Sequence, residues 1–438
     1  MQFFKHVVAV VIIFLCCRIC FPLNLLAVEG GEYIAIRKEG IGKIALVLNK
    51  LATPAKEEPN ISKRLDVIIH DGLDFTGLFT LISPPLNVKD SSNSENVAIN
   101  FSALDSVGAA VYAGGTVTNT AGNITLDVEV FDISGAKLLL RKTYKGKSQQ
   151  LRTIGYAFCE DLVELFTGKK SVFGSKIVFV SNKTGFKEIY QCDFDGHGVE
   201  QLTNLHSIAL TPALSPDGKF LAYTDFSSGQ PALSIRDLST GKTLAVDKRG
   251  VSIDPAWRDN KEVATTFSFE GDQEIYLVKT NGAISRRLTY SKGIDLSPSF
   301  SPDGNKMAYV SSRNGQPQIF IQDLQSGQTS RLTFSGRYNT QPSWSPAGDK
   351  IAYTTWESGD EINIFVIGSD GSGLMQLTQK SGENESPAWS PDGRMLVFAS
   401  NRHGMKKLYI MESTGQNQRP LLQLEGEQYQ PCWSLFRE

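Results

Sequence analysis

Histidine, methionine and cysteine are scarce in this 438-residue chain, with five, six and six copies. Four of the His (His70, His197, His206 and His403) stand at unrelated positions. None forms a His-x-x-x-His or His-x-Glu spacing, so the usual metal sites are not encoded. Charge of one sign is lacking too: 44 Lys and Arg face 46 Asp and Glu, a net −2. That excludes the basic footprint expected of a nucleic-acid or anionic-membrane binder. The longest apolar run, Val7–Cys17, stops at Arg18 and falls short of the roughly 20 residues a transmembrane helix needs. Beyond the first 20 residues only Cys159, Cys192 and Cys432 remain, an odd and widely spaced set that is neither a disulfide framework nor a zinc site. What abounds is 39 Gly and 18 Pro, which favours many turns and short strands. A hydrophobic fraction of 41% excludes a disordered or fibrous chain, and the length calls for two or three units.

The first thirty residues read as an address. Lys5 and His6 precede the apolar run, and Leu25-Leu26-Ala27 offers a cleavage site ending in a small residue. No small residue directly precedes Cys16, Cys17 or Cys20, which argues against a lipoprotein. Residues 1–27 are expected to be a cleavable signal peptide, with an uncleaved anchor as the other reading.

The second half is dominated by a repeat. Its cores are Thr211-Pro-Ala-Leu-Ser-Pro-Asp-Gly, Asp254-Pro-Ala-Trp, Ser297-Pro-Ser-Phe-Ser-Pro-Asp-Gly, Gln341-Pro-Ser-Trp-Ser-Pro-Ala-Gly, Ser386-Pro-Ala-Trp-Ser-Pro-Asp-Gly and Gln430-Pro-Cys-Trp-Ser. The period of about 44 residues is that of a four-stranded propeller blade, not of a helical repeat. Each unit reads as four strands, with Pro-Asp-Gly turning the first hairpin and Leu-Thr closing the fourth strand. Gly174–Thr203 carries three strands without a preceding Pro-x-Trp-Ser, while the chain finishes on that very motif. The expectation is therefore an all-β six-bladed propeller over 174–438, closed by its C-terminal strand. Two departures stand out. Arg258-Asp259-Asn260 replaces Ser-Pro-Asp-Gly, which should tighten that hairpin. Cys192 and Cys432 fall on the third and first strands of one blade, about 9–10 Å apart, too far for a disulfide.

Residues 28–170 lack the repeat. Tyr33–Ile36 and Ile44–Leu48 read as strands, Ile61–Asp71 as a helix, and Val107–Thr118, Asn123–Ile133 and Ala136–Tyr144 as a meander turning at Ser134-Gly135. Leu151, Ile154, Phe158, Leu162 and Leu165 mark a closing helix that stops at Gly168. The mixture predicts a small α/β domain, with Asp90–Asn96 as a polar loop.

A search for chemistry finds none. No Ser has Gly at both −2 and +2, so a hydrolase nucleophile turn is absent. Asp193-Phe194-Asp195-Gly196 begins like a calcium loop, but its twelfth position is Asn204, and a hairpin turn is the better reading. Trp257, Trp344, Trp389 and Trp433, with Phe300 and Leu214 in their place elsewhere, could suggest a sugar-stacking ring; packing between blades explains them better. No cofactor or metal is expected.

The Pro-x-Trp-Ser-Pro-Asp-Gly repeat with Leu-Thr blade ends resembles the TolB family of exported propeller proteins. So does the order of signal peptide, small α/β domain, six blades and a closing strand. The resemblance implies a non-enzymatic periplasmic component of the Tol–Pal system of Gram-negative bacteria, serving outer-membrane integrity and envelope constriction at division. It implies two partners: the peptidoglycan-associated lipoprotein Pal at the channel mouth, and the C-terminal domain of TolA at the N-terminal segment. Carried onto this chain, the mouth is Leu210, Thr211, Ile253, Asp254, Leu296, Ser297, Thr340, Gln341, Glu385, Ser386, Tyr429 and Gln430. The TolA segment comprises Glu29, Glu32, Tyr33, Ile34, Ala35 and Ile36, an extended piece suited to strand addition. Other envelope proteins are further partners; nucleic acid and membrane insertion are not expected, and the chain should be a monomer. Two other classes stay open: an exported propeller binding a small ligand or sugar in its channel, and a propeller lyase or hydrolase using carboxylates such as Asp254 and Asp295.

Overall fold

The computed structural model describes residues 42–53, 60–85, 99–246, 250–268, 271–357 and 361–434. The signal segment, Tyr33–Ile36 and Asp90–Asn96 lie outside the described residues. The N-terminal α/β domain holds strands β1 (Ile44–Leu48), β2 (Phe79–Ile82), β3 (Val111–Thr120), β4 (Asn123–Asp132) and β5 (Lys137–Lys147). Its helices are α1 (Asn60–Phe75), α2 (Phe101–Ser106) and α3 (Leu151–Thr167). The sheet order is β2-β1-β3-β4-β5, with β1 parallel to both neighbours. Leu65, Ile69 and Leu73 of α1 and Ile154, Phe158 and Leu162 of α3 are buried in one core with the sheet. Gly168 ends α3 at φ 67°, its N–H bonded to the Glu164 carbonyl, a left-handed turn that Gly adopts without strain.

The strand expected from Val107 begins only at Val111. The short α2, capped by the Asn100 side chain accepting from the Ala103 N–H at 3.0 Å, and a turn at Gly108 occupy the approach. Neither α2 nor β2 is anticipated by sequence pattern. Each is too short to show a period.

Six four-stranded antiparallel sheets follow. The first strands are Ala209–Leu214, Ser252–Trp257, Asp295–Phe300, Tyr338–Trp344 and Asn384–Trp389 for blades 1 to 5. In blade 6 the first strand is Gln428–Trp433, which pairs with Lys176–Ser181 from the opposite end of the repeat region. The first strand of each blade contacts that of the next all the way round, so the six first strands form the channel wall.

The repeated residues have definite jobs. The Ser of the first hairpin donates to the following Asp at 2.5–2.9 Å and accepts the first N–H of the second strand, as at Ser301 and Ser390. The Thr of Leu-Thr accepts the N–H of the third strand (Ile275 to Thr289, 2.9 Å), while the Leu N–H returns to the same residue's carbonyl. These two residues seal the outer edge of the blade without lengthening the strand. Trp257, Trp344, Trp389 and Trp433 are buried; the indole N–H of Trp257 reaches the Ala213 carbonyl of blade 1, and that of Trp389 the Ser343 carbonyl of blade 4. Packing between blades, not ligand stacking, is their role. The hairpin at Arg258–Lys261 is one residue shorter than its equivalents, as its sequence predicts. Cys159, Cys192 and Cys432 are free thiols, with Lys176–Ser181 running between the strands of the last two.

Strand direction divides the ring into two faces. One, the mouth face, carries the loops entering each first strand and the turns between second and third strands. The other carries the hairpins, and there the α/β domain is clasped to blades 5 and 6. Arg152 grips Asp195 in a fork (2.9 and 2.7 Å), and Tyr156 donates to the same carboxylate at 2.6 Å. Phe75, Tyr156 and Phe173 surround Phe194 with ring centroids 5.0–5.2 Å away.

Candidate functional site: the channel mouth

The mouth is built from three consecutive residues in each first strand. The outermost, Ala209, Ser252, Asp295, Asn339, Asn384 and Gln428, are buried. The next, Leu210, Ile253, Leu296, Thr340, Glu385 and Tyr429, are half-buried in all six blades. They give the rim an apolar half on blades 1 to 3 and a polar half on blades 4 to 6.

The third residue, immediately before each Pro, has positive φ without exception: Thr211 48°, Asp254 54°, Ser297 52°, Gln341 52°, Ser386 55° and Gln430 45°. Each lies at a register shift between the first and second strands, so the wall carries six equivalent bulges. A left-handed conformation in a residue other than Gly costs of order 1–3 kcal/mol and persists only where surroundings fix it. Here bonds across blades do so. Gln430 accepts the Thr211 N–H (2.9 Å), Gln341 accepts the Ser386 N–H (2.9 Å) and Ser297 donates to Asp254 (2.7 Å). Sequence reasoning reaches these positions but not their backbone; the only available signal is a bulky or polar residue preceding Pro at every period.

Electrostatics differ around the rim. Glu385 holds Lys406 at 2.7 Å, and Glu383 shares that ammonium at 3.3 Å. Burial works against the charged Lys406, but the two carboxylates outweigh it and raise its pKa. Tyr429 bonds Glu427, and the Lys187 ammonium lies 4.9 Å from its ring centre. Burial raises the Asp254 carboxyl pKa, with the Ser297 hydroxyl pulling weakly the other way. Asp295, expected with Asp254 as a channel carboxylate, is instead wholly buried and bound to Arg313 at 2.9 Å. It cannot meet a channel ligand. Among the described residues no group of three or more His, Cys, Asp and Glu is placed to hold a metal. The N-terminal candidates Glu29, Glu32, Tyr33, Ile34, Ala35 and Ile36 lie outside the described residues.

Fold and mouth together define a two-domain propeller protein, an α/β domain clasped beneath a six-bladed ring whose other face is a rim of side chains around a channel. The comparisons with known proteins agree. Residues 163–437 match the model of the TolB beta propeller domain, and residues 32–139 that of the TolB amino-terminal domain. The chain belongs to the TolB family. It is 61% identical to the protein TolB homolog of Chlorobium chlorochromatii over 94% of this chain and 93% of the relative. It is 40% identical to the Tol-Pal system protein TolB of Desulfosudis oleivorans, over 63% of this chain and 64% of the relative. The crystal structure of TolB from Acinetobacter baumannii superposes with a TM-score of 0.77 at 25% identity, covering 90% of this chain and 97% of that one.

Proposed function

We propose that this chain is a non-enzymatic, periplasmic component of a Tol–Pal system that receives the peptidoglycan-associated lipoprotein Pal at the channel mouth and TolA at its N-terminal segment. Residues 1–27 serve as a removable export signal, 28–170 as the α/β domain and 174–438 as the binding ring, and the outcome served is outer-membrane integrity and constriction at division. One observation carries this reading: the six equivalent positions from Leu210–Thr211 to Tyr429–Gln430 form an amphipathic rim on the face that the α/β domain leaves open. A rim with an apolar half and a polar half suits a folded protein surface better than a small polar ligand. Relatives bearing the name Tol-Pal system protein support a place in that system, and the resemblance to TolB supports Pal as the partner.

Calorimetric titration of the mature protein with the soluble domain of the same organism's Pal tests it. Leu296→Asp and Glu385→Lys are expected to weaken binding by about tenfold or more, as changes at a buried interface centre do. Val67→Glu, on the exposed side of α1, should leave it unchanged. Absence of wild-type binding would refute the reading.

A further inference from the structure

The mouth face carries large apolar side chains that the propeller does not need. Tyr290 is 74% exposed and Phe334 75%, and each follows a Leu-Thr blade end. The same place holds Asn204 and Gln379 in other blades, so an aromatic there is no requirement of the repeat. Trp356, the only Trp outside the repeated position, is 43% exposed on the same face and meets Tyr338 edge-on at 5.8 Å. These residues cluster on blades 3 and 4 and the loop leading into them, and give the face a lopsided apolar arc.

Arginines brace the arc. The Arg331 guanidinium lies 4.9 Å from the Phe334 ring centre, and that of Arg337 5.2 Å from Tyr338, a distance at which a cation is attracted to the ring. Nearby Arg287 and Arg313 spend their charge on the buried Glu274 (3.0 Å) and Asp295 (2.9 Å). Among the described residues Arg331 and Arg337 have no carboxylate partner. The sector therefore combines braced aromatic rings with two guanidiniums that no described carboxylate pairs, while Glu357 and Glu361 stand on the turn after Trp356 and the next two blades bear Glu383, Glu385 and Glu427.

We infer that the protein partner of the mouth sits off the channel axis, anchored on Tyr290, Phe334 and Trp356, with an acidic patch of its own facing Arg331 and Arg337. Exposed Tyr, Trp and Arg are the residue types that dominate binding energy in protein interfaces, and unpaired guanidiniums favour a partner of opposite charge. The inference rests on the reading above and adds where the binding energy is concentrated and what chemistry the partner presents.

The test is surface-binding kinetics between the full mature chain and the soluble domain of Pal, at 50 and 300 mM salt. Phe334→Ala and Tyr290→Ala should each weaken binding by about tenfold, mainly through faster dissociation. The double variant Arg331→Glu, Arg337→Glu should abolish the loss of affinity between the two salt concentrations. Tyr290, Phe334 and Arg337 are exposed, while Arg331 is half-buried with its Nε donating to the Thr333 carbonyl at 2.6 Å, so unchanged thermal midpoints would confirm that the fold is intact. Arc variants within twofold of wild type, with Leu296→Asp still weak, would overturn the inference and leave the mouth reading standing. No wild-type binding would remove both. Retention of the purified chain on Pal-free peptidoglycan, lost in Phe334→Ala, would overturn it in favour of a glycan as the arc's occupant.

Discussion

Asp295 illustrates how one atom decides a residue's behaviour. In blade 4 the corresponding Asn339 donates its amide to Gln318 and to the Ser335 carbonyl, both at 2.7 Å. In blade 5 the corresponding Asn384 accepts from Ser400 and Arg402, both at 2.8 Å. Asp295 keeps the arginine contact but presents an oxygen where Asn339 presents a donor, and its Oδ1 is buried without a partner, as is Oε2 of Glu274. Burial raises the Asp295 pKa; Ser311 and Arg313 oppose this and Glu274 adds to it. The flanking groups are Arg313, Tyr309 and Glu274 with its partner Arg287. A carboxyl raised in the folded state contributes stability that is complete below the ordinary value of about 3.9 and is lost as pH rises through the folded value. Asp295→Asn is therefore expected to raise the thermal midpoint at pH 7 and to flatten its fall between pH 4 and 7. Thermal melts across that range check this; a lower midpoint at pH 7 would show that the ion pair outweighs the burial.

At the scale of elements, the turn Asp193–His197 joins the two domains. Gly196 adopts φ 84°, and a Cβ there would meet the Leu421 carbonyl oxygen at 2.3 Å, so only Gly fits. Burial would raise the Asp195 pKa, but hydrogen bonds from Tyr156 and Arg152 and the charge of Arg152 outweigh it and hold it below the usual range. The stability it supplies is present above the ordinary value and lost as pH falls through the folded one. Asp195→Asn should weaken the clasp by about 1.5–3 kcal/mol, the scale of hydrogen bonds to a charged group, and split the calorimetric transition in two. Wild type near pH 2 should approach the same profile. The sequence reading of this motif as a turn is correct, yet nothing in it reveals the clasp, because Arg152 and Tyr156 lie some forty residues upstream on α3. Legibility follows periodicity throughout. The blades repeat, so their strands, the buried Trp and the shortened Arg258 hairpin are readable from one another. Phe79–Ile82 and Phe101–Ser106 occur once and are too short for a pattern. The six bulges and the exposure of Tyr290 and Phe334 depend on how blades meet, which a linear sequence does not display.

For the molecule as a whole, the N-terminal segment, residues 28–36, is proposed to report on the mouth. If that segment docks when Pal is bound or is released to TolA, but not both, linkage makes the effect mutual. Deleting residues 28–36 should then shift Pal affinity by about 5-fold or more. Titration of the shortened chain checks this, and unchanged affinity would exclude the coupling. The ring's seam has a different kind of consequence. Trp433 bonds Ser175 across 258 positions, and Gln428–Trp433 is the only neighbour of Lys176–Ser181 on that side of the sheet. If the chain is exported with its N-terminus leading, as proposed above, Lys176–Ser181 comes out long before the strand that must cover it. Until the final residues emerge, that apolar segment stands with a bare edge, the kind that recruits stray strands. Closure so distant along the chain is slow by nature. The same seam that makes the finished ring edgeless makes its birth the moment of greatest exposure to aggregation and proteolysis.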